Sequence, residues 1–98
     1  MQSAIRIGTN TFKVIRESPV IDEKGKVVWA NIDSVADTIR VDNKLSLPRQ
    51  KEAVLHECIH GVAFSIGEDP REAFVNRFSL GFYRWMLDNK SLVKWLIE

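Results

Sequence analysis

The stretch His56-Glu57-Cys58-Ile59-His60 restricts this chain more than any other. On an α-helix, positions i and i+4 stand one turn apart on the same face. His56 and His60 can then direct two ring nitrogens at a single ion, at the roughly 2.0–2.1 Å of a zinc–nitrogen bond. Glu57 is rotated by roughly 100° from His56, so it reaches a water on that ion without ligating it. That is the placement of a general base in metal-assisted hydrolysis. The chain has only two histidines, and both lie in this motif. Cys58 is two residues from each, which turns it away from their shared face and makes it a small buried apolar residue rather than a ligand.

The surrounding residues predict a helix over 48–66, with Ser46 as N-cap, Pro48 in the first turn and Gly67 just past the end. Val54, Leu55, Cys58, Ile59, Val62 and Ile66 form a wide apolar surface, the pattern of a largely buried helix. Buried polar side chains need partners, and a metal ion supplies one for the two imidazoles.

Upstream of this helix the residues are β-prone. Ala4–Ile7 and 11–15 read as a hairpin around Gly8-Thr9-Asn10, and Ser18-Pro19 ends the second run. Val20 and Ile21 form a short extended piece, residues 22–26 a turn, and residues 27–33 a third full strand. After a turn at 34–37, Thr38–Asp42 alternates polar and apolar side chains as a half-buried antiparallel strand does. Strands precede helices throughout, so residues 1–98 are expected to form one α+β domain: an antiparallel meander of about four strands, two long helices and a short C-terminal helix.

The second long helix is predicted to start with Asp69 as N-cap and Pro70 at its first position, and to end near Asn89. Phe74, Val75, Phe78, Phe82, Trp85 and Met86 recur at helical spacing, which predicts a core-facing stripe. Ser91 is a candidate cap for the last helix, running from Leu92 to about Ile97.

Charge and composition narrow the partners. Fourteen basic and 13 acidic residues give a formal charge of +1, without the basic run that phosphate neutralisation leaves in a nucleic-acid binder. No apolar stretch is long enough for a transmembrane helix or a signal peptide. A single cysteine excludes an intrachain disulfide. The expectation is a cytoplasmic protein that acts on a protein or peptide, with neither nucleic acid nor membrane as partner. A domain of 98 residues has little stability to spare, and a bound metal would add to it.

Catalytic zinc usually takes three protein ligands and a water. With no third histidine, Glu68, Asp69 and Glu72 are the downstream candidates. Glu72 lies 12 residues past His60, in the first turn of the next helix, where an antiparallel helix pair brings it back. Asp69-x-x-Glu72 also matches a capping box, and spacing alone does not choose between the two. The oxyanion donor stays open as well. Tyr83 lies roughly 16 Å along the helix from Glu72, too far to serve, and Arg40, Arg49 and Arg77 remain. An extended substrate is expected along an exposed sheet edge, either Thr38–Asp42 or residues 27–31.

Residues 55–62, followed by Glu72-Ala73-Phe74-Val75-Asn76-Arg77-Phe78, resemble the ImmA/IrrE-type metallopeptidases, and their short phage and prophage members in particular. In that family an H-E-x-x-H helix is followed by one opening E-x-x-A-N-R-F-A; here Val75 and Ser79 replace the two alanines. Ala30, Ile32, Asp33, Thr38–Asp42, Leu45, Ser46 and Arg49 are also similar to the short phage proteins, so the resemblance spans roughly residues 27–88. It implies a zincin-like fold, Zn2+ held by His56, His60 and Glu72, and Glu57 as the catalytic base of a peptide-bond hydrolase. Longer family members often carry a helix-turn-helix or other partner domain, which this chain does not show. The alternative from another class is a catalytically inactive, phage-type module that binds metal and regulates a protein partner. A metal-free module would require the motif to be accidental. Glu57 separates the readings, because a purely structural metal site does not need it.

Overall fold

The computed structural model describes residues 3–98. Six strands precede three helices: β1 (Ala4–Ile7), β2 (Asn10–Glu17), β3 (Val20–Ile21), β4 (Val27–Val28), β5 (Ala30–Asp33), β6 (Thr38–Asp42), α1 (Leu47–Ser65), α2 (Glu72–Asp88) and α3 (Lys90–Ile97). The α+β order is the expected one. Pairing in the sheet is not.

β1 and β2 form the expected hairpin, closed by Gly8-Thr9 with Ile7 opposite Asn10. Gly8 has φ +61°, the left-handed conformation that a two-residue hairpin turn requires and glycine supplies. Beyond β2 the meander fails. The four-stranded sheet has the order β1-β2-β6-β5, and β6 runs parallel to β2, with Val14 opposite Ile39. The expected strand over 27–33 is divided. Val27–Val28 pairs with Val20–Ile21 as a separate two-stranded ribbon, whereas Ala30–Asp33 pairs antiparallel with β6. The residue between them, Trp29, instead accepts a hydrogen bond from the Asp42 backbone N–H at 2.8 Å through its carbonyl. The ribbon carries the chain past the sheet, so the β5–β6 hairpin docks on β2 with β6 inside. The sheet is therefore mixed, and β6 is a central strand rather than an edge.

Alternation in β6 is as expected. Ile39 and Val41 are fully buried while Thr38, Arg40 and Asp42 are half-buried on the opposite side. Ile39 joins Ile7 and Phe12 in the core, with Ile5, Ile32 and Cys58 packed against them. Helix α1 lies across this face, touching β5, β6 and β1. Gly61 lets it approach closely, because a Cβ there would stand 2.8 Å from Ile7 Cδ1 and 3.0 Å from Ile32 Cδ1.

Two expectations about apolar faces are overturned. The end of α1 is not buried: Val62 and Ile66 are more than half exposed. On α2 only Val75 of the expected stripe is fully buried. Phe74, Phe78, Phe82 and Trp85 stack in a row with successive centroids 5.6 Å apart, and each remains 37–53% exposed. Their spacing does place them on one face, but no described element covers it. Helix starts also differ. Pro48 stands in the first turn of α1, whereas the Ser46 side chain makes no capping bond. Arg71 and Asn89, rather than Asp69 and Ser91, occupy the N-cap positions of α2 and α3. Asp69 and Pro70 belong to the connection instead. Among the described residues, no helix is long and apolar enough to cross a membrane.

Candidate metal centre

Helix α1 ends in a turn that determines what faces the histidines. Gly67 adopts φ +80°, its N–H bonds the Phe64 carbonyl at 3.0 Å, and the Glu68 N–H bonds the Ala63 carbonyl at 2.8 Å. These two bonds make a Schellman motif, which satisfies the last carbonyls of α1 and reverses the chain. Helix α2 then packs back on α1, with Glu72 as its first residue.

Glu72 thereby meets both imidazoles. Its Oε1 lies 2.6 Å from His56 Nε2 and its Oε2 lies 2.8 Å from His60 Nε2. The two Nε2 atoms are 3.2 Å apart. Ligands at roughly 2.0–2.1 Å from a tetrahedral ion stand about 3.3 Å from one another; the two nitrogens are near that separation, whereas the carboxylate oxygens stand at hydrogen-bond distance from them. Both use Nε2, which presents the same ring edge of each histidine toward the carboxylate. Within the described residues this trio is the His/Cys/Asp/Glu group able to hold a metal ion. The donor set fits zinc or another borderline divalent ion. The capping role for Glu72 is not adopted, since the residue sits inside the helix with its carboxylate on the histidines.

Glu57 lines the same cleft, is only 9% exposed and makes no hydrogen bond to any described residue. Among the described residues no fully buried side-chain oxygen lacks a partner, so the Glu57 carboxyl is open to the cleft rather than sealed in the core. Burial pushes its pKa to about 8, and the nearby carboxylates of Glu72 and Glu23 push the same way. A cation between His56, His60 and Glu72 would counter the field of Glu72 and favour the ionised base. Cys58 packs against the core cluster but is half-buried rather than buried as expected, and burial raises its thiol to about 11.

A cleft of about 1180 Å³ opens over the trio. β5 forms part of its wall and is the terminal strand of the sheet, so the sheet edge beside the centre is Ala30–Asp33. The expectation of Thr38–Asp42 as that edge is thus overturned. Glu68 and Asp69 also reach the cleft wall but do not belong to the trio. Tyr83, Arg40, Arg49 and Arg77 do not line it. Arg40 is engaged by Glu17 at 3.2 Å and by the Ile21 carbonyl at 2.6 Å, and Arg49 stacks 5.1 Å from the Trp29 ring centroid. Asn76, one turn along α2 from Glu72, does line it and offers an amide donor. Asn76 is absent from the residues expected to serve as oxyanion donor, although i and i+4 place it on the same helix face as Glu72. Comparison with protein-family models, curated proteins and solved structures finds no match to this chain.

Proposed function

We propose that the chain is a zinc-dependent metallopeptidase of the ImmA/IrrE type, with a zincin-like fold, cutting peptide bonds in a protein substrate. One observation carries the reading: three ligand atoms converge beside a buried glutamate that has no partner among the described residues and lines an open cleft. His56, His60 and Glu72 would hold the ion. When bound, zinc supplies a Lewis acid that polarises a carbonyl and makes a water acidic near neutral pH. Glu57 accepts the proton of the attacking water and returns it to the leaving amine. The outer edge of β5 orients an extended peptide by main-chain pairing. Asn76 donates to the oxygen on which negative charge develops.

The experiment is Glu57→Gln in zinc-loaded protein. It should keep one zinc per chain and lose proteolysis by about 10²-fold or more, the share of a general base. Proteolysis that persists in this variant rejects the assignment of the base.

A second reading is a regulatory metal-binding module that cuts nothing. The row of half-exposed aromatic rings on α2 favours it, since exposed apolar patches mark interaction surfaces. Under that reading, wild type and Glu57→Gln are equally inert as proteases.

A further inference from the structure

The charges around the cleft are one-sided. Apart from Glu57 and Glu72, five acidic residues line it: Asp22, Glu23, Glu52, Glu68 and Asp69. None of the chain's 14 Lys and Arg residues does. The chain as a whole is close to neutral at +1, so this asymmetry is local. The acids come from three separate segments of the chain. Asp22 and Glu23 belong to the turn between β3 and β4, with Glu52 on α1, whereas Glu68 and Asp69 stand in the connection from α1 to α2. The basic residue packed against the wall, Arg49, lies over Trp29. A divalent ion at His56, His60 and Glu72 would leave the remaining carboxylates in excess.

None of these five carboxylates forms an ion pair among the described residues. A cleft lined by one sign of charge focuses its field and concentrates ligands of the other sign. The buried Glu57 carboxyl, open to the same cleft and without a partner, marks it independently as a place where something binds.

We infer that the cleft takes a cationic polypeptide segment, with lysine or arginine side chains near the residue held over the metal trio. The inference rests on the peptidase reading for the identity of the ligand as a polypeptide, but its test needs no cleavage. Glu23 and Glu68 are the selectivity residues. Both are exposed, so charge reversal there leaves the core alone. Asp22 is unsuitable for the test, because its carboxylate accepts the backbone N–H groups of Lys24 and Lys26, both at 2.9 Å, and shapes the turn.

The experiment uses zinc-loaded, full-length Glu57→Gln protein and two labelled alanine peptides, one flanked at both ends by lysine pairs and the other by glutamate pairs. Fluorescence anisotropy should show the lysine peptide binding at least about tenfold tighter, with the preference shrinking as salt screens it. Adding Glu23→Lys and Glu68→Lys should abolish or invert the preference, and circular dichroism of that variant should match its parent. Equal affinities, tighter binding of the glutamate peptide, no binding of either peptide, or a preference untouched by the double reversal would each overturn the inference. A lysine peptide that binds selectively yet is never cut by wild type sinks the peptidase reading while leaving the cationic cleft standing.

Discussion

Glu72 Oε1 stands 2.6 Å from His56 Nε2, joining the first residue of one helix to the middle of another. The same carboxylate reaches His60 at 2.8 Å, so one side chain completes a three-ligand cluster across the helix pair. Because Glu72 is the sole contributor from α2, Glu72→Ala should weaken zinc binding by about 10²-fold or more, beyond the 10–100-fold that supporting residues usually cost. Titration against a chromophoric chelator measures this directly. Unchanged affinity would show that the carboxylate is no ligand.

Removing metal should make stability depend on pH through Glu57. Its folded pKa of about 8 lies above the ordinary value of 4.5, mainly through burial. The folded state therefore binds this proton more tightly than the unfolded chain does. The associated stability is fully present below pH 4.5 and is lost as pH rises through 8, a change on the order of a few kcal/mol. Chelator-treated protein should melt at a lower temperature at pH 8.5 than at pH 5, and Glu57→Gln should reduce that difference. An identical dependence in the variant would assign the effect to other groups.

The turn at Gly67 should matter to both folding and metal. With φ +80° and open space where a Cβ would go, Gly67→Ala meets no clash, only the backbone cost of a left-handed residue, about 1–2 kcal/mol. Chemical denaturation measures that loss. Because this turn returns Glu72 to the histidines, zinc affinity should fall in the same variant.

Cys58 should be chemically quiet. A thiol raised to about 11 holds little thiolate at pH 8, and the thiolate is the reacting species. Iodoacetamide should modify native protein far more slowly than denatured protein, with mass spectrometry reading the adduct. Rapid native alkylation would place the thiol outside the core.

Much of the centre was readable without coordinates. Helical periodicity alone puts His56 and His60 on one face, Glu57 beside them and Cys58 behind, and the turn chemistry of Gly67 locates the helix end. These are local properties, fixed by 3.6 residues per turn and by the one residue type that tolerates positive φ. What spacing could not choose was the role of Glu72, since metal ligand and capping partner occupy the same position in sequence. Only the packing of α2 on α1 separates them.

The tertiary structure also decided the sheet. Alternation in Thr38–Asp42 reports that one side is buried, but it is silent on neighbours, so the parallel pairing with β2 and the sheet edge at Ala30–Asp33 could not be foreseen. The stripe on α2 makes the same point: period assigns Phe74, Phe78, Phe82 and Trp85 to one face, yet whether that face is covered depends on elements distant in the chain. The one-sided charge of the cleft is likewise invisible in a sequence with nearly equal acids and bases, because it arises from the turn after β3 and the connection after α1 lining one cleft. Sequence determines what each segment can present, since conformational preference acts between near neighbours; which segments then face one another is decided by the burial and pairing of the whole chain.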